Sequence, residues 1–188
     1  MTNLHYEEQL QKIFSNINDW LKFAEAKNFG LITLNAAIVF GLSQTNFDEG
    51  SFTKIVSSYI LFPLIYISFV FSLFSFFPIL RKISKKEELK GILPWLSKLI
   101  DKEQKFESIH FYGYLSKVNK KRFITELKLK TNSTEEFTLY EEELASQILY
   151  NSRIVWLKFQ LFKIAGFFTL TGIMVSPVAF LLLLWINK

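Results

Sequence analysis

Residues 55–80 read IVSSYILFPLIYISFVFSLFSFFPIL, 26 positions without Asp, Glu, Lys, Arg or His between Lys54 and Arg81. A helix rises about 1.5 Å per residue, so this stretch reaches across the roughly 30 Å hydrocarbon core of a bilayer. Residues 164–187, IAGFFTLTGIMVSPVAFLLLLWIN, form a second such stretch of 24 positions between Lys163 and Lys188. Two of them in 188 residues describe a small integral membrane protein and exclude most soluble enzyme classes.

Working outward, a third segment precedes both. Asn28 to Gln44 carries no charge, and its apolar core, Phe29–Leu42, is interrupted by Thr33 and Asn35. Only twelve residues separate Leu42 from Ile55, so the segment most simply forms a membrane hairpin with the next one. This gives transmembrane helices at 29–43, 55–80 and 164–187, the first of them short, with an external loop at 44–54. Basic residues set the orientation. Arg81, Lys82, Lys85 and Lys86 crowd the end of the second span, Lys158 and Lys163 precede the third, and Lys22 and Lys27 precede the first. The opposite ends are poor in base. The pattern places residues 1–28 and 81–163 in the cytoplasm and the C-terminus outside.

The remaining composition narrows the chemistry. The chain is 50% hydrophobic yet 21% charged, with the charges between the apolar blocks. It has no Cys, which removes disulfides and thiolate chemistry, and its two histidines, His5 and His110, have no second His at helical spacing, so no metal site is expected. Residues 1–28 carry Glu7, Glu8, Asp19 and Glu25, which argues against a signal peptide. No nucleophile–base pair, carboxylate dyad or phosphate-cradling Gly loop is visible, so no catalytic residue and no enzyme activity are expected.

The cytoplasmic part reads as helical. Leu10, Ile13, Phe14, Ile17, Trp20, Leu21 and Ala24 follow the i, i+3, i+4, i+7 rule and lead into the first span. Thr138-Leu139-Tyr140-Glu141 reads as a capping box, after which Leu144, Ile148, Ser152, Val155, Phe159 and Phe162 share one face into the third span. Residues 89–100 suggest a short amphipathic helix bent at Pro94, residues 106–115 an aromatic turn around Gly113, residues 117–130 a basic helix, and Thr131–Glu136 a loop. The fold class is therefore an all-α membrane protein: three transmembrane helices, the third continuous with a cytoplasmic helix, plus a helical cytoplasmic domain.

Several runs carry a resemblance. WLKFAEAKNFGLITLNAAIVFGL at 20–42, FSLFSFFPILRK at 71–82, HFYGYLSK at 110–117 and LASQILYNSRIVWLKFQLFKIAGFF at 144–168 resemble, in that order, the Pycsar-type transmembrane effectors of bacterial antiphage defence. Glu25, Ala26 and Lys27 stand at that family's acidic-Ala-Lys motif, with Glu where Asp is usual. Asn151, Ser152 and Lys158 stand at polar positions of its last cytoplasmic helix. The resemblance implies a protein of the bacterial inner membrane that senses a cyclic mononucleotide or oligonucleotide made during infection. It further implies that the protein damages the membrane and halts the infected cell. It implies no cofactor beyond the messenger itself.

Each candidate residue has two readings. Lys27 and Lys158 could meet a nucleotide phosphate while Trp20, Tyr112 or Tyr114 stacks on the base; equally, the lysines could snorkel to lipid phosphate and the rings belong to the core. Glu25 could simply pair with a lysine. Asn151 and Ser152 either face a ligand or bond to a neighbouring helix. Asn35 sits in a span where an unpaired amide is costly, and the same residue of another subunit could satisfy it. Ser68, Ser72 and Ser75 form a stripe that either lines a pore or lets helices pack closely. Lys117–Arg122 suggests nucleic acid or anionic lipid, and beside a bilayer attraction to lipid or plain solubility is the better reading. Pro177 is expected to kink the third span. The leading expectation is a messenger-gated, homo-oligomeric effector embedded in the lipid bilayer. The alternative is a non-enzymatic scaffold that recruits a partner through its basic inner face.

Overall fold

The computed structural model of the chain describes residues 4–44, 52–76, 107–132 and 135–186. The amphipathic helix expected at 89–100, the basic cluster at Arg81–Lys86 and most of the loop at 44–54 lie outside the described residues. The elements are α1 (Leu4–Ser43), α2 (Phe52–Val56), a π-helical turn (Ser57–Leu61), α3 (Phe62–Phe74), α4 (Tyr112–Leu115), α5 (Lys120–Thr131) and α6 (Leu139–Ile186). There is no strand among the described residues. Three helical stretches, Tyr6–Ser43, Thr53–Phe74 and Leu139–Leu182, are long and apolar enough to cross a membrane. The protein is an all-helical membrane protein.

The chain divides into two compact units, one made of Met1–Ala24 with Pro78–Phe159, the other of Glu25–Phe77 with Gln160–Lys188. Both long helices, α1 and α6, contribute residues to each.

In the first unit the helical periodicity becomes a core. Leu10, Ile13 and Ile17 of α1 are fully buried with Ile148 and Val155 of α6 and Phe123 and Leu127 of α5. Tyr6 closes one end by stacking on Phe137, ring centroids 4.6 Å apart. The capping box at the start of α6 forms as the sequence suggests. The Thr138 backbone N–H donates to Glu141 Oε2 at 2.7 Å, and the Glu141 N–H donates to Thr138 Oγ1 at 3.3 Å. Each partner thus satisfies a donor that the first helical turn leaves free. α5 begins later than the sequence suggests because the Asn119 side chain accepts the Arg122 N–H at 2.8 Å and caps it there. It ends at Asn132, whose φ of 50° is the left-handed conformation that closes many helices. The aromatic turn at 106–115 contains one short helical turn, α4, with Gly113 buried.

In the second unit the interior includes several polar side chains while the outside is apolar. Asn28 and Asn35 of α1, Ser68 and Ser72 of α3 and Thr169 of α6 are buried, whereas Phe29, Phe40, Tyr66 and Leu181 are exposed. Close packing follows. A Cβ on Gly172 would stand 3.2 Å from Leu61 Cδ1 and 3.4 Å from Leu64 Cβ, so a larger residue would fit only if the Leu61 side chain gave way by a few tenths of an ångström. Phe71 stacks on Phe168 with planes 4° apart. The π-helical turn has a cause that the sequence already contained. Pro63 has no N–H and its ring excludes the carbonyl four residues back, so the ladder widens before it, and the Phe62 N–H donates to the Ser57 carbonyl. α6 continues through Pro177, which denies the Ile173 carbonyl its usual donor.

Candidate functional site

Trp20, one helical turn before the end of the first unit's share of α1, meets two aromatic residues from distant parts of the chain. Its ring lies 5.3 Å from that of Tyr112 and 6.1 Å from that of Phe159. Tyr112 and Phe159 stack on each other at 5.0 Å with planes 16° apart. Phe23 completes the group, 6.1 Å from Trp20 and 6.2 Å from Phe159, with 47% of its surface exposed. Phe159 forms the floor and is buried, while Trp20 and Tyr112 are half-buried. The Tyr112 hydroxyl has no hydrogen-bond partner among the described residues. Burial pushes its pKa up, so it remains an O–H donor at neutral pH. Lys158 precedes Phe159 and is itself buried. Sequence reasoning selected Trp20, Tyr112 and Lys158 but read Phe159 only as a packing position and did not single out Phe23.

Tyr114 goes elsewhere. Two residues after Tyr112 on the single turn of α4, it turns away and donates its hydroxyl to Glu126 Oε1. Arg122 lies over its ring at 5.6 Å and bonds Glu126 at 2.8 Å. Tyr114 is therefore committed to an ion-pair network and not to the Trp20 cluster. The network also spends part of the basic run: Arg122 faces Glu107 at 3.7 Å and Lys120 pairs with Glu142 at 2.7 Å.

Burial alone would raise the Glu126 carboxyl, but its hydrogen bonds from Tyr114 and Arg122 outweigh that and hold it below its ordinary value. A lowered carboxylate stabilises the fold fully above its ordinary pKa, and that contribution is lost as pH falls through the lowered one. Tyr114→Phe removes one donor. Glu126 should then titrate closer to its ordinary value by side-chain NMR, and acidification should cost the variant less stability than it costs the parent.

Asn151 and Ser152 divide between the two readings. Asn151 Nδ2 donates to Asn18 Oδ1 at 3.1 Å, a bond from α6 to α1, while Ser152 Oγ returns to the Ile148 carbonyl of its own helix at 2.7 Å. Glu25 is exposed on α1. Lys27 lies in the second unit, with its ammonium 5.4 Å from the centre of the Phe162 ring.

Within the second unit, Asn35 does not need another subunit. Its Nδ2 donates to Ser68 Oγ at 2.8 Å, its Oδ1 accepts from Thr169 Oγ1 at 2.9 Å, and the two hydroxyls lie 2.7 Å apart. One amide ties α1, α3 and α6 together in a closed triangle. The expectation of an intersubunit partner fails because Ser68 and Thr169 supply one donor and one acceptor on the chain's own neighbouring helices. Thr169 went unnoticed in the sequence, since a single Thr in an apolar run carries no signal without its spatial neighbours. Ser72, one turn further along α3, and Ser75, at its C-cap, are also buried.

The family model of the Pycsar effector protein domain matches residues 9–185. The chain belongs to the Pycsar effector family. It is a Pycsar-type antiphage transmembrane effector, as the resemblance in its sequence implied. The match extends through most of all three membrane-crossing helices and includes every candidate residue above. No curated protein and no solved structure matches the chain.

Proposed function

We propose that this effector is gated by a cyclic nucleotide that binds the first unit at the Trp20–Tyr112–Phe159 cluster, and that the bound form breaches the bacterial inner membrane as an oligomer. The unit that binds would be cytoplasmic and the C-terminus external. The observation that carries the reading is the cluster itself. Three rings from α1, α4 and α6 converge, with an unpartnered phenol on Tyr112 and an exposed edge at Phe23. A nucleobase needs an aromatic face and a directional polar group, and these residues offer both. Lys158 would serve the phosphate as a point charge. No bond is made or broken, so the messenger acts only by favouring one arrangement of the helices over another, and only to the extent that it binds that arrangement more tightly. Because α1 and α6 each contribute to both units, a shift in the first has a covalent route to the second.

Tyr112→Phe is the cleanest test, since it keeps the stacked ring and removes the hydroxyl. Messenger binding should weaken by roughly twofold to twelvefold, the net worth of one hydrogen bond, with thermal stability unchanged. In cells carrying a cognate cyclase, infection should depolarise the membrane when this protein is present. Cells that hold their potential through infection would sink the reading.

A further inference from the structure

We propose that the exposed face of α3 around Tyr66 is where a second copy of this chain docks inside the bilayer, which deepens the oligomeric form proposed above. Tyr66 is 69% exposed and has no hydrogen-bond partner among the described residues. It stands 12 residues after Lys54 and 15 before Arg81. At about 1.5 Å per residue it lies about 18 Å along the helix from Lys54, near the middle of a hydrocarbon core roughly 30 Å thick. A phenol at that depth cannot snorkel to either headgroup layer, and no water competes for it there.

Two other hydroxyls of the second unit solve this problem on their own helices. Thr33 Oγ1 returns to the Phe29 carbonyl at 3.0 Å and Ser176 Oγ to the Gly172 carbonyl at 2.7 Å. A tyrosine is too long to reach back to its own helix in this way. Its partner must come from outside the chain, and the lipid tails offer none.

A phenol both donates and accepts, so it is complementary to a copy of itself. An interface built on a two-fold axis brings the same residue from both copies together. The surrounding surface suits this. Tyr66, Val70 and Leu73 recur at i, i+4 and i+7 on the side of α3 away from buried Ile65, Ser68 and Ser72. The buried side already holds α1 and α6 through the Asn35 triangle, which leaves this face for an intermolecular contact.

The chain has no Cys, so single cysteines report cleanly. Leu73→Cys, which keeps Tyr66, and Met174→Cys, on the 69% exposed surface of α6, would be introduced separately into the full chain and oxidised in native membranes. Leu73→Cys should form disulfide dimers at least tenfold faster than Met174→Cys. Equal rates, faster reaction at Met174→Cys, or no dimer at Leu73→Cys would overturn the proposal. Tyr66→Phe should weaken self-association, read by energy transfer between labelled copies in phosphatidylcholine vesicles, by roughly threefold to thirtyfold. Unchanged association would also overturn it. Both measurements are made without messenger. Intact cross-linking with no infection-dependent depolarisation would therefore leave the interface standing and remove the gating reading, and the reverse result would do the opposite.

Discussion

Phe159→Leu is expected to separate the structural role of the aromatic cluster from its role in signalling. Phe159 is 8% exposed, stacks on Tyr112 and touches the rings of Trp20 and Phe23, so it belongs to the core of the first unit and to the proposed messenger site at once. Truncation to Ala would not resolve the two. Emptying a buried Phe site costs about 3–5 kcal/mol, a large share of the roughly 5–15 kcal/mol that holds a typical domain. Phe159→Ala should leave too little folded protein in the membrane to assay. Leucine keeps most of the volume. The swap should cost up to about 1.5 kcal/mol for repacking and about 0.5–1.5 kcal/mol for the lost ring pairing. The protein should still fold, with a lowered unfolding midpoint in detergent. Tyr112, however, loses the surface that fixes its plane. Messenger binding should fall about tenfold or more, read by the quenching of Trp20 fluorescence against a Trp20→Phe background. A Leu variant that binds as well as the parent would show that the rings are packing and nothing else.

The parts of this molecule that sequence alone revealed share a cause. Where one physical preference acts along the chain, it leaves a pattern. The charge-free run 55–80, the Leu10-Ile13-Ile17 stripe and the Thr138–Glu141 box are each written in consecutive positions, because the forces involved act across a single helix. What was missed depends on encounters between helices. Asn35 is conspicuous by itself, but its partners are an unremarkable Ser and Thr, 33 and 134 positions away. Phe159 has the periodicity of a core residue, which it is, and nothing local marks it as the floor of an aromatic cluster. Tyr112 and Tyr114 look interchangeable in HFYGYLSK, yet two positions apart on one helical turn they face different ways. One joins Trp20 and the other joins Glu126. Pro63 was a different failure. Its effect on the ladder is local and readable, and the uninterrupted hydrophobicity around it concealed it.

Asn35→Ala should be the most damaging small substitution in the membrane unit. The amide is fully buried and makes two of the three bonds in its triangle with Ser68 and Thr169. Its removal leaves the two hydroxyls only each other and, for Thr169, the Ala165 carbonyl at 3.2 Å. Interhelical hydrogen bonds within membranes contribute about 0.6 kcal/mol each on average and up to about 1.7, and the vacated amide volume adds a cavity term. The total should be about 2–3 kcal/mol by reversible unfolding in mixed micelles. Asn35→Leu refills the volume but denies Ser68 its donor as Ala does, so the cost that remains in it is that of the lost hydrogen bonds. Ser72 supplies the internal control. It is equally buried, four residues from Ser68 on the same helix face, but its hydroxyl has no hydrogen-bond partner among the described residues. Ser72→Ala removes a polar atom that gains nothing from folding, so it should be neutral or stabilising by up to about 1 kcal/mol. The two predictions have opposite signs although both residues are fully buried and Ser72 lies one helical turn from Ser68, the acceptor of the Asn35 amide. If Asn35→Ala and Ser72→Ala prove alike, small-residue packing around Gly172 holds these three helices together and the triangle does not. If they diverge as expected, the polar interior is a set of specific locks, and Asn35→Ala combined with Thr169→Val should be less than additive because both open the same one.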